Sequence, residues 1–129
     1  MNVRLMIAVL LAGGALATVA QDKPRTTGGS EPLTYAKQVA PLVGKYCLPC
    51  HSADNDNSSE LVLDSHETMM EGGKHGNPVV AGKPDESNLY LKLLSDPPFG
   101  RQMPRGRGPK PTEDDIKVIR DWILQGAKP

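Results

Sequence analysis

Cys47-Leu48-Pro49-Cys50-His51 holds the only two cysteines of the 129-residue chain, at C-x-x-C spacing with a histidine directly after them. That pattern is the covalent attachment site of c-type haem. Two thiols at this spacing can add across the two vinyl groups of one porphyrin, and the following histidine then lies beneath the ring and can ligate the iron. Three other chemistries use such residues. A redox dithiol of thioredoxin type needs a strand–helix setting with parallel strands, and few strand signals occur here. A closed zinc site needs a fourth ligand, usually from a second pair, and no second cysteine pair exists. A plain disulfide would close too short a loop to stabilise much. Haem attachment accounts for the histidine as well as the thiols.

The rest of the chain fits a small haem cradle. One domain is the expected content at this length. Residues 1–20 read as a secretory signal, with Arg4 at the start, an apolar run Leu5 to Leu11, and small residues at Ala15 to Ala17 or Thr18 to Ala20. The run is short for a membrane span; left uncleaved, it would instead tether the chain to a membrane. Export would place the protein in a periplasmic or extracellular space. Residues 21–32 form a polar linker with Pro24, Gly28, Gly29 and Ser30. Residues 33–129 are the domain.

Its composition, with 13 Gly, 12 Pro, one Trp and one Phe, predicts many loops and a small core. A domain this small often needs a staple, and a large apolar cofactor tied by two thioethers would supply one. Fifteen acidic and fifteen basic residues give no net charge, so no footprint of nucleic-acid binding.

Apolar spacing at Val39, Leu42, Val43 and Tyr46 predicts one helical face. Pro41 suits the first turn of a helix, so the expected firm helix runs from Pro41 to Cys50, after a looser turn. Leu61-Val62-Leu63 should pack inward. Asp64 or Ser65 should cap a short helix through Met70 that Gly72-Gly73 closes. Val79 to Gly82 reads as a short extended piece. A helix opening at Pro84 or Ser87 should bury Leu89, Tyr90, Leu93 and Leu94, and stop at Asp96-Pro97-Pro98. Phe99 to Pro111 can only be a long loop, and long loops in small domains are usually functional or disordered. Thr112 and Asp115 resemble a capping box for the last helix, with Ile116, Ile119, Ile123 and Trp122 packing inward.

For the sixth ligand to an iron held by His51, the candidates are Met69, Met70, His66, His75 and Met103. The two helix methionines read as core, and His66 as a solvated helix-start residue. Met103, 52 residues after His51 and followed by Pro104, is the favoured ligand; His75 in a Gly-rich loop is the runner-up. A His/Met pair raises the haem potential relative to two histidines and leaves no open position for a substrate. That predicts an electron carrier rather than an enzyme. Arg101, Arg105, Arg107 and Lys110 form a basic loop around Met103, suited to haem propionates or to an acidic redox partner. Acidic residues Asp54, Asp56, Glu60 and Asp64 follow the attachment motif.

The pattern resembles class I cytochromes c, and is similar to the small domains called planctomycete-type cytochrome c. The resemblance runs from about Leu33 to Ala127. It rests on Val39-Ala40-Pro41-Leu42, the Cys47–His51 motif, Leu61-Val62-Leu63-Asp64, the segment Val80 to Tyr90, Met103-Pro104, Trp122-Ile123 and Gly126-Ala127. It implies an all-α haem domain of about four short helices with long loops. It also implies one covalent haem c on Cys47 and Cys50, with His51 and Met103 as axial ligands. The family often has a second proline after Met-Pro; here Arg105-Gly106 follows. The expected role is an exported monohaem carrier of single electrons between protein redox partners. The alternatives are a haem-based sensor with a displaceable sixth ligand, and a haem-free module stapled by a Cys47–Cys50 disulfide.

Overall fold

A computed structural model describes residues 31–129. The expected signal over 1–20, and most of the linker over 21–32, lie outside the described residues. Among the described residues the architecture is helical with long loops and no strand; the one extended pairing is an isolated bridge between Gly73 and Gly76. No helix among them is long and apolar enough to cross a membrane.

The chain enters through a π-helical turn, Tyr35–Val39, capped by the Thr34 side chain, and runs directly into α1, Ala40–Tyr46. Pro41 explains the wide turn. It has no N–H for the carbonyl four residues back, and Ala40 N–H reaches Tyr35 O instead. Helix α1 ends at Tyr46 rather than at the expected Cys50. Pro49 supplies the reason, since it cannot donate and it disfavours helical backbone at Leu48. The attachment motif therefore sits in a turn after the helix, closed by His51 N–H to Cys47 O at 3.1 Å.

Helix α2, His66–Glu71, opens on a capping box between Ser65 and Thr68 and stops at Gly72, whose φ of 82° is a glycine conformation. The predicted helix after Pro84 is split. A 3-10 turn, Pro84–Glu86, is followed by α3, Asn88–Leu91, with fully buried Ser87 between them. Ser87 Oγ accepts from Val80 N–H and donates to Lys83 O, which holds residues 79–83 as a turn-ended loop rather than a strand. Helix α4, Glu113–Leu124, opens on the expected Thr112–Asp115 capping box, with three acids in its first turn that complement the helix dipole.

The core joins the two ends of the described chain. Val39, Val43, Met69, Trp122 and Ile123 are almost completely buried, with Leu63, Val79, Leu93 and Ile119 around them. Tyr35 N–H and Trp122 Nε1–H both donate to Lys128 O at 2.8 Å, and Tyr35 OH donates to Leu63 O at 3.0 Å.

Candidate functional site

Both cysteines, His51 and Met103 line one cavity of about 270 Å³. Three loops and α3 bring them together. The turn after α1 carries Cys47, Cys50 and His51. The loop after it returns Leu61 and Leu63 to the wall, α3 contributes Leu89, and Leu93 follows just past its end. The Phe99–Pro111 loop closes the side with Met103. The walls are mainly aliphatic, so the site excludes water from a flat apolar ligand.

His51 is fixed by its neighbours. Its main-chain carbonyl accepts from Leu63 N–H at 2.7 Å, and its Nδ1 lies 3.0 Å from Leu61 O. A carbonyl can only accept, so Nδ1 carries the proton and the lone pair is on Nε2. That is the tautomer an iron-ligating histidine needs, with the second nitrogen anchored to a carbonyl.

Met103 is fixed from α3. Its N–H donates to Lys92 O at 2.7 Å, and the neighbouring Gln102 Nε2–H donates to Leu93 O at 2.7 Å. The two hydrogen bonds hang the loop on the C-terminal end of the helix. Met103 is half-buried, as a thioether facing an apolar ligand would be.

The other candidates separate cleanly. Met69 is fully buried in the core and Met70 packs against it. His66 is not a solvated residue. Its Nε2 lies 2.8 Å from Ala127 O, and its ring packs edge-on against Tyr35 and Trp122, away from the cavity. His75 does line the cavity, exposed and 4.6 Å from the Phe99 ring, so it shares the site with Met103.

The thiols have the wrong setting for redox or zinc chemistry. Both are free. Burial pushes the Cys47 thiol up to about 11, the opposite of the depression that an exchanging dithiol needs. Among the described residues no three His, Cys, Asp or Glu side chains group to hold a metal ion. Sequence reasoning missed Tyr46, a wall residue whose OH donates to Asp115 Oδ2 at 2.6 Å and so links the cavity to the start of α4.

Two thiols, an imidazole with its proton on Nδ1 and a thioether thus line one largely apolar cavity, a set of side chains that suits covalent haem. Comparison with known families points the same way. The family model described as planctomycete cytochrome C matches residues 47–105, from the first cysteine to just past Met103. No curated protein and no solved structure matches the chain. Covalent haem c is the cofactor the family implies, and the residues present fit it.

Proposed function

We propose that the protein is an exported monohaem cytochrome that carries single electrons between protein partners, with thioethers at Cys47 and Cys50 and axial ligation by His51 and Met103. The observation that supports this most is the convergence of those four side chains, and no carboxylate, on one apolar wall. Bound there, haem would supply a one-electron ferric/ferrous couple.

The chain's own residues would do the rest. Cys47 and Cys50 would hold the ring covalently. Leu61 O keeps the proton on His51 Nδ1, so Nε2 remains the basic nitrogen. The Lys92 carbonyl and the Gln102 amide set the position of Met103, whose thioether would bind the iron and so keep small ligands off it. Leu48, Leu63, Leu89 and Leu93 keep water out, which limits the solvent rearrangement that accompanies a change of charge. Residues 1–20 would direct the chain to a periplasmic or extracellular space.

Expression alongside haem-attachment machinery tests the reading. Wild type should retain a haem stain through denaturing electrophoresis, and Cys47→Ala/Cys50→Ala should lose it. Ferrous protein should not bind carbon monoxide. Tight carbon monoxide binding would favour the sensor reading with a displaceable sixth ligand.

A further inference from the structure

The cavity wall contains two fixed positive charges, Lys92 and Arg105, and no negative one. Neither cation forms an ion pair among the described residues, whereas Lys37, Lys74, Lys83, Lys117 and Arg120 all do. The two heads converge. A methyl group added at Gly100 would meet Lys92 Nζ at 3.5 Å and Arg105 Nη2 at 4.0 Å. Like charges meeting beside an apolar surface are unfavourable until an anion joins them. Lys92 Nζ donates to Phe99 O and lies 4.5 Å over the Phe99 ring, which keeps it at the cavity mouth. An ammonium and a guanidinium each have several donors, so both retain free N–H groups for a carboxylate.

The other polar wall residues are poorer anion sites. Asn88 and Ser59 are neutral, and Tyr46 OH is bonded to Asp115. His75 is stacked against Phe99. Arg107 and Lys110 belong to the same basic loop but are not part of the wall.

Resting on the reading of the cavity as a haem site, we infer that Lys92 and Arg105 bind the propionate carboxylates of the haem and so fix which edge of the ring lies at the Phe99–Arg105 mouth. A carboxylate between the two cations relieves their repulsion and places its own charge where the wall has none. The pair then acts on the iron in two ways. It orients the ring, and it offsets propionate charge that would otherwise favour the ferric state.

The test uses the haem-loaded full chain and compares wild type with Arg105→Gln, Lys92→Gln, the double variant, Arg105→Lys and the control Arg107→Gln. Three quantities are read: haem per polypeptide, midpoint potential, and the propionate bending band in the resonance Raman spectrum. Arg105→Gln should shift the ferric/ferrous equilibrium toward ferric by about threefold and the double variant by about tenfold, about 59 mV for one electron. The propionate band should move in both. Arg107→Gln should change none of the three, and Arg105→Lys should restore most of the wild-type values. Ferric/ferrous equilibria within about twofold of wild type in all variants would overturn the inference. A lowered potential with an unmoved propionate band would also overturn it, because the charges would then act on iron only through space. If the double variant fails to load haem, the exposed Arg105→Gln decides alone. Absence of haem from wild type would instead remove the parent reading, and this inference with it.

Discussion

His51 and Met103 reach the cavity from segments 52 residues apart, and each depends on a neighbour that is not a ligand. For Met103 that neighbour is Gln102, whose amide holds Leu93 O. Gln102→Ala should cost about 1 kcal/mol of stability, the usual worth of one such hydrogen bond. If the bond positions the thioether, the ferric protein should also bind added imidazole about fivefold more tightly, the factor that corresponds to about 1 kcal/mol. An unchanged imidazole titration would reduce Gln102 to a structural contact. Tyr46 offers a second test. Its OH holds the Asp115 carboxyl below the ordinary aspartate value of 3.8, helped by Thr112. A carboxyl depressed in the folded state contributes stability above its unfolded value, and that contribution is lost as pH falls through the folded one. Tyr46→Phe should therefore lower the melting temperature at pH 7 and flatten its fall below about pH 4. Melting curves from pH 7 to pH 3 check both.

At the scale of elements, the loop that orients His51 is pinned by one close approach. A Cβ at Gly73 would sit 2.5 Å from Ser59 O and 2.9 Å from Leu61 N, and Lys74 N–H donates to Ser59 O. Gly73 thus lets the turn after α2 press against the strip that delivers the Leu61 carbonyl. Gly73→Ala should destabilise by about 1–3 kcal/mol, as overpacking does. By shifting Leu61 it should also move the midpoint potential. Thr112→Ala provides the contrast. It should cost about 1 kcal/mol, the worth of an N-cap, and leave the haem spectrum unchanged. The Thr112–Asp115 capping box was legible because it is written within four consecutive residues, whereas the choice between Asp64 and Ser65 at α2 is settled only by the Ser65–Thr68 box in the structure. The end of α1 was legible in principle too, since Pro49 forbids what a simple apolar period from Pro41 to Cys50 implies. Period outweighed the local breaker in that reading, and the structure reverses the order.

For the whole molecule, the core between α1 and α4 is well packed, but the side toward α3 ends in a cavity. A domain this small, with a cavity beside its core, has little margin against chain entropy. The chain made without haem should show no cooperative thermal transition in circular dichroism, and the haem-loaded form should show one. A sharp transition in the haem-free chain would make the cofactor dispensable for folding. The helical character was readable from apolar spacing and caps, and Cys47, Cys50 and His51 because attachment chemistry demands contiguous spacing; Met103 was singled out only by its Met-Pro setting and the family resemblance. What was not readable depends on distant chain returning: Leu61 O at His51, Lys92 O at Met103, Asp115 at Tyr46 and Ala127 O at His66. No local pattern encodes such partners. His66 was read as solvated because its own neighbours are polar, while its contacts come from Tyr35 and Trp122 at the two ends of the domain.

The central claim is that Met103, and not the nearby His75, completes the iron's coordination. The most direct measurement is the ferric absorption spectrum of wild type, Met103→Ala and His75→Ala, each with covalent haem. Thioether ligation produces a weak long-wavelength band. The account predicts that band in wild type and in His75→Ala, and its loss in Met103→Ala. Its persistence in Met103→Ala, or its loss in His75→Ala alone, would contradict the account.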